Sequence, residues 1–207
     1  MLPPALVLAS ASPRRAELLR SAGLSFTVRP VDCDESWRPG EAPIAYVERV
    51  AALKAAAAAA LAELPAAALI LAADTTVWLD EDREPLAKPR DRAHAAAMLR
   101  ELTRGRAHRV STACALARPR SSPPVVERLV ETSIVRMRAL SDAQFAAFID
   151  PYLDAAQWSD KAGAYAIQGR AAGLVEAIEG SYTGIVGLPL AQVLTMLEAH
   201  RDQHSHD

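Results

Sequence analysis

Short, solid runs of apolar residues alternate along the first half of the chain with stretches in which apolar positions recur every three or four residues. The solid runs read as buried strands and the periodic stretches as helices packed on them. The pattern predicts a strand over Leu6–Ala9, a helix over Pro13–Ala22, a strand over Phe26–Val31 and a helix over Ile44–Glu63. A strand from Leu69 to about Leu79 and a helix over Asp91–Leu102 follow. Strands alternating with helices in this way predict an α/β fold. Beyond them, Arg109–Ala117 and Val125–Met137 are two β-rich runs joined by Arg118-Pro119-Arg120-Ser121-Ser122-Pro123-Pro124, the signature of a hairpin. An antiparallel hairpin added to a βαβ pattern makes the expected sheet mixed. Six of the nine glycines lie between Gly163 and Gly187, which predicts tight bends there, and a last helix is expected over about Leu190–His200.

At 207 residues and 51% hydrophobic content the chain can bury one sizeable core, and a single domain over residues 1–200 is expected, with 201–207 a disordered polar tail. The tail histidines His204 and His206, with His200 before them, read as a solvated terminus. A formal net charge of -2 argues against a protein that coats nucleic acid, leaving a nucleic-acid-binding module a weaker rival, and any polyanion it binds should be small and held locally. Cys33 and Cys114 have no CxxC partner, which suits a reducing compartment. The N-terminus lacks a basic segment before its apolar run, and Lys54, Glu63 and Pro65 interrupt the hydrophobic stretch from Ala51 to Ala73. A cytoplasmic protein with no membrane association is expected.

Cations are unevenly distributed: twenty arginines stand against three lysines, Lys54, Lys88 and Lys161. Where arginine serves almost everywhere, a retained lysine marks a place that wants a compact ammonium rather than a planar fork. A second anomaly is Ser10-Ala11-Ser12-Pro13-Arg14-Arg15, directly after the first strand. Ser12 suits an N-cap and Pro13 a first helical position, which puts Arg14 and Arg15 in the first turn, where the helix dipole disfavours each cation by roughly 0.3–1 kcal/mol. Arginines beside free backbone N–H groups make a receptor for phosphate oxygens, the alternative being ion pairs to Asp34 or Glu35.

A third anomaly is Asp74, set between Leu69-Ile70-Leu71-Ala72-Ala73 and Thr75-Thr76-Val77. A carboxylate inside a strand needs a metal, a cation or a substrate, so Asp74 is a candidate general base or metal ligand, or one half of an internal salt bridge. The pair Asp34-Glu35 could hold Mg²⁺ if a phosphate chain is present. In Asp160-Lys161-Ala162-Gly163-Ala164-Tyr165-Ala166-Ile167-Gln168-Gly169, Lys161 can reach a phosphate and the Gln168 amide can face a base edge. Neither a GxxxxGK[ST] loop nor a GxSxG elbow nor an HExxH motif occurs. An acid-and-cation site without a protein nucleophile suits metal-assisted attack of water on a phosphoanhydride.

These motifs, with Lys88-Pro89 and Glu179-Gly180-Ser181 leading to Val186-Gly187-Leu188-Pro189, resemble in order and spacing those of the Maf family of nucleoside triphosphate pyrophosphatases, from about Leu6 to Leu197. The resemblance implies two lobes around an elongated cleft, a homodimer, and hydrolysis of a nucleoside triphosphate to its monophosphate and pyrophosphate with a divalent metal, Mg²⁺ or Mn²⁺. It implies Asp74 as proton acceptor and Arg14, Thr75 and Gln168 at positions tied to substrate choice. Ser12, Arg14, Arg15, Lys54, Lys88 and Lys161 would form the phosphate cradle, with Glu35 and Asp74 holding the metal. Ala-Gly-Ala-Tyr followed by Ile-Gln-Gly is similar to the dTTP/UTP branch rather than the 7-methyl-GTP branch. Three positions depart from the family pattern: Ala87 stands for Gly, Gln157 for Glu and Gly184 for Asn, which touches specificity and rate more than reaction type. The competing readings are a division-linked protein that senses nucleotides without cleaving them, and a purine-selective pyrophosphatase.

Overall fold

The computed structural model describes residues 5–202. Six strands form one mixed sheet in the order β2-β1-β3-β4-β5-β6. They are β1 (Leu6–Leu8), β2 (Phe26–Val28), β3 (Leu69–Trp78), β4 (His108–Ala117), β5 (Val125–Met137) and β6 (Val175–Glu179). The helices are α1 (Pro13–Ser21), α2 (Pro43–Ala59), α3 (Arg92–Leu102), α4 (Asp142–Asp154), α5 (Tyr182–Val186) and α6 (Leu190–Asp202). β1 runs parallel to β2 and to β3, while β3 to β6 are joined antiparallel. The α/β class and the mixed sheet expected from the sequence are both present.

Strand alternation divides the helices between the two faces of the sheet. Ile70 and Ala72 of β3 pack, with Val7, Ala113 and Ala115, against Val47, Ala51, Ala55 and Ala58 of α2. The intervening Leu69, Leu71 and Ala73 pack with Leu8 and Cys114 against Leu19 of α1 and Val193 and Met196 of α6. A third core lies beyond the far end of β3, where Val77 and Val110 meet Met98, Leu99 and Leu102 of α3 and Phe145, Ile149 and Tyr152 of α4. β3 therefore threads two lobes, and its middle residues lie between them.

Several boundaries moved for identifiable reasons. β2 stops at Val28: Arg29 still donates to the Leu8 carbonyl, but Pro30 has no N–H to continue the ladder. α2 ends at Ala59 rather than Glu63, leaving room for the turn before Pro65, whose predecessor is kept out of helical geometry. The apolar pattern does not predict α4, although Ser141 and Gln144 form a reciprocal capping box at its start. Pro151 inside that helix and its Ala146-Ala147 pair blur the pattern. β6 and α5 are likewise not predicted. Arg201 and Asp202, expected in the polar tail, belong to α6, and 203–207, with His204 and His206, lie outside the described residues. His200 faces Glu127, Nε2 to Oε2, at 2.7 Å. Cys33 and Cys114 are free thiols, and no helix among the described residues is long and apolar enough to cross a membrane.

Candidate active-site cleft

The connection from β1 through α1 leads to β2 on one side of β1, while β3 pairs on its other side. Ligands of open α/β sheets bind outside the carboxyl ends of strands at such a switch point. β1 ends at Leu8, paired with Leu71, so β3 runs on from Ala73 without a strand on that edge. A cleft of about 660 Å³ opens there. Its floor is β3, one wall is the β1–α1 turn, and the other is the irregular segment 160–168.

Consecutive residues of β3 serve opposite faces of the sheet. Asp74 points to the α2 face, where Lys54 Nζ donates to its Oδ1 at 2.8 Å and lies 3.0 Å from Glu35 Oε2. Lys54 and Asp74 are only 8% and 7% exposed. Burial pushes the Asp74 carboxyl above its usual range, and the Lys54 ammonium and Arg15 guanidinium oppose that push without cancelling it. The internal salt bridge weighed for Asp74 is therefore present, in a form that keeps a partly compensated carboxylate at the cleft floor. Glu35 is oriented by its neighbours: Tyr46 Oη donates to its backbone carbonyl at 3.0 Å. Asp34 is used differently, its Oδ1 accepting the Ser36 amide at 2.9 Å in an Asx turn that shapes this loop.

Thr75 points to the α1 face. Arg15, 9% exposed, donates from Nε to the Gly187 carbonyl (2.8 Å), from Nη1 to Ser10 Oγ (3.0 Å) and from Nη2 to Thr75 Oγ1 (3.1 Å). Thr112 Oγ1 donates to the Gly184 carbonyl at 2.8 Å. A hydroxyl carries one proton, so across the 2.8 Å Thr75–Thr112 contact Thr75 is the donor. Arg15, Thr75 and Thr112 thus form a one-way chain that ties α1, β3 and β4 to α5, while the Gly187 bond ties Arg15 to the turn after it. The first-turn cation that broke the helix rule is explained by buried carbonyl and hydroxyl acceptors, not by Asp34 or Glu35. Its partner Arg14 lies at the rim and pairs with Asp160 at 3.3 Å. Ser12 is extended and makes no side-chain cap bond; its amide donates to Ser10 Oγ at 3.2 Å.

The far wall brings Lys161 and Asp160 into an ion pair. Burial pushes the Asp160 carboxyl up, but Lys161 and Arg14 outweigh it and hold it below the usual range. Lys88 and Gln168 line the same cleft, both exposed, and neither has a protein hydrogen-bond partner among the described residues. Of the candidate residues from the sequence, Ser12, Arg14, Arg15, Glu35, Lys54, Asp74, Thr75, Lys88, Lys161 and Gln168 border one cavity, whereas Asp34, paired with Glu35 as a metal candidate, does not line it and closes its own turn instead. Ser10, Thr112 and Asp160 were not singled out. Asp160 carried a readable signal, an acid directly beside one of the rare lysines, whereas Thr112 lies within an ordinary buried strand.

Among the described residues no group of three His, Cys, Asp or Glu side chains could hold a metal by itself. Glu35 and Asp74 nevertheless converge on one ammonium, and two carboxylates completed by substrate phosphate oxygens are a donor set that Mg²⁺ accepts. The residues fit a divalent ion that arrives with a phosphate chain.

A cleft with a buried acid at its floor and cations around it, at the switch point of a mixed α/β sheet, defines a protein built to take up a small polyanion. The chain belongs to the Maf-like protein family, whose model matches residues 5–200. It is 46% identical over 197 residues to a dTTP/UTP pyrophosphatase of Roseobacter denitrificans, covering 93% of this chain and 95% of that one. A dTTP/UTP pyrophosphatase of Shewanella oneidensis is 47% identical, over 93% of this chain and 96% of its own. One from Citrifermentans bemidjiense is 46% identical over 93% of each. Among solved structures, a HAM1 protein from Coxiella burnetii has the same fold, with a TM-score of 0.53 at 16% identity over 95% of this chain and 99% of that one.

Proposed function

We propose that the chain is a nucleoside triphosphate pyrophosphatase that hydrolyses dTTP and UTP to the monophosphate and pyrophosphate, working in the cytoplasm as a homodimer. The names of its relatives support the reaction and substrates. The observation that carries the reading to particular residues is the Lys54 ammonium held between Asp74 and Glu35 on the floor of a cation-lined cleft.

In this reading the base lies toward Gln168 and the phosphate chain toward Arg14, Lys88 and Lys161. Asp74 accepts a proton as the water oxygen attacks the α-phosphorus, the bond to the bridging oxygen breaks, and pyrophosphate leaves with the electron pair. An elevated carboxyl pKa suits that role, because a base is most effective when its pKa approaches the working pH. Lys88, Lys161 and Arg14 neutralise charge building on the leaving pyrophosphate. Glu35 and Asp74 would hold Mg²⁺ or Mn²⁺, which supplies charge neutralisation on the phosphate oxygens when bound. Arg15 and Thr75 act through position, since their hydrogen bonds fix the turn and strand that frame the site. Gln168 can offer both a donor and an acceptor, which matches the adjacent N–H and carbonyl of a uracil or thymine edge.

The test is release of pyrophosphate against orthophosphate from dTTP, UTP, CTP, GTP and 7-methyl-GTP with Mg²⁺ or Mn²⁺. Pyrophosphate from dTTP and UTP is expected. Saturable binding without pyrophosphate would favour a nucleotide sensor, and preference for GTP or 7-methyl-GTP would overturn the substrate assignment.

A further inference from the structure

The cleft wall that carries Lys161 and Gln168 is not a regular element, yet it is held at closely spaced points. Gly163 donates to the Leu86 carbonyl at 2.8 Å, and with φ +67° it leaves room for Val77, whose Cγ1 would lie 3.0 Å from any added Cβ. Ala164 follows with φ 62°, a left-handed conformation that a residue with a side chain adopts only when its surroundings impose it. Two side chains from outside the segment supply the restraint. Tyr152 of α4, fully buried, donates from Oη to the Ala164 carbonyl (3.2 Å) and accepts the Ala166 amide (3.2 Å). His108 of β4, also fully buried, meets Tyr165 Oη through Nε2 at 2.9 Å. One phenol therefore stands in for the backbone pairing that the turn lacks on both sides of Tyr165, and the imidazole fixes the side chain between them.

We infer that Tyr152, with the His108–Tyr165 pair, is a positioning residue for base recognition: it locks the left-handed turn at 163–164 so that Gln168 is presented to the cleft in one orientation. The inference rests on reading the cleft as a nucleotide site. A phenylalanine would fill the same core space, so the hydroxyl is accounted for by the two backbone groups it satisfies. Without it the turn relaxes, and Gln168, two residues beyond Ala166, loses its fixed approach. Asp74 and Lys54 stand on β3 and α2, and Lys161 precedes the turn with anchors of its own, its amide on the Trp158 carbonyl at 3.1 Å and its ammonium on Asp160, so the hydrolytic groups stay in place.

The experiment compares wild type with Tyr152→Phe and Tyr165→Phe for KM and kcat on dTTP, UTP, CTP and GTP, with amide exchange at Ala166 followed in parallel. KM for dTTP and UTP should rise about three- to tenfold, the loss expected for a hydrogen bond, and selectivity over CTP and GTP should shrink by a similar factor. kcat should change by less than about twofold, and Ala166 exchange should quicken in Tyr152→Phe. Unchanged KM and selectivity, whether or not thermal stability falls, would reduce the hydroxyl to a core contact and overturn the inference. A wild type that binds nucleotides without cleaving them would refute the hydrolase reading alone, and affinities from calorimetry would replace KM. A wild type that binds no nucleotide would overturn both, while Ala166 exchange would still report whether the phenol holds the turn.

Discussion

The floor and the rim of the cleft are built by opposite means. On the floor, Lys54, Asp74, Arg15 and Thr75 stand on two helices and a strand, are largely buried, and have protein partners within 3.1 Å. On the rim, Lys88, Lys161 and Gln168 stand on irregular chain, and Lys88 and Gln168 have no protein partner among the described residues. A buried charge must be answered by the protein before any ligand arrives, so the floor is set in advance. An exposed cation is answered by water and remains available. On the proposed reading, the proton acceptor stands where geometry is rigid, and base recognition is left to side chains that are free to meet a ligand.

The sharpest way to break this contrast is Asp74→Asn, which keeps the shape and removes the proposed base. Turnover should fall by about 10²–10⁴ with nucleotide affinity little altered; an unchanged kcat would take Asp74 out of the reaction. Next comes acid. Burial drives His108 from 6.5 down to about 4. The unfolded chain takes up that proton first, so stability is fully present above pH 6.5 and is lost as the pH falls toward 4, by roughly 3 kcal/mol from this group. Urea unfolding of wild type and His108→Gln between pH 7.5 and 4.5 should show a steeper decline in the wild type, and parallel declines would contradict the assignment.

The adjacent arginines offer the most direct comparison of floor with rim. Arg15→Met leaves the Gly187 carbonyl without its donor and should destabilise the fold by about 1–3 kcal/mol, measured by chemical unfolding. Arg14→Ala should stay within about 0.5 kcal/mol of wild-type stability while raising KM, and equal losses from the two would erase the difference between floor and rim. The smallest effect belongs to Asp160→Asn. Its exposed pair with Arg14 contributes about 0–1 kcal/mol, so stability should barely move. Nucleotide affinity should rise, because Arg14 and Lys161 lose a competing carboxylate; weaker affinity would mean that Asp160 orients them instead.

Much of this site was legible as a set of anomalies. A cation in the first turn of α1, a carboxylate within an apolar strand and three lysines among twenty arginines each broke a local rule, and all of those residues border the cleft. What each anomaly meant was less legible. Arg14 and Arg15 are adjacent in sequence and share one signal, yet one reaches the rim and the other is buried beneath it. The Asp34-Glu35 pair divides likewise, one carboxylate closing a turn and the other meeting Lys54. Tyr152 gave no sign of a role, because a tyrosine on an apolar helical face is indistinguishable from ordinary core until its hydroxyl finds a partner.

The sequence by itself determined the alternation of strands and helices, the hairpin of β4 and β5, and the inventory of charged residues available for chemistry. These follow from periodicity and turn residues, which act over a few positions. Only the tertiary structure decided that Lys54 meets Asp74, that Arg15 reaches Gly187, and that Tyr152 bridges the backbone around Tyr165. Those pairings span 20, 172 and up to 14 residues and depend on how the sheet orders its strands and which face each side chain takes. They are set by burial, which forces each enclosed polar group to find a partner among whatever the packing of distant segments brings within reach.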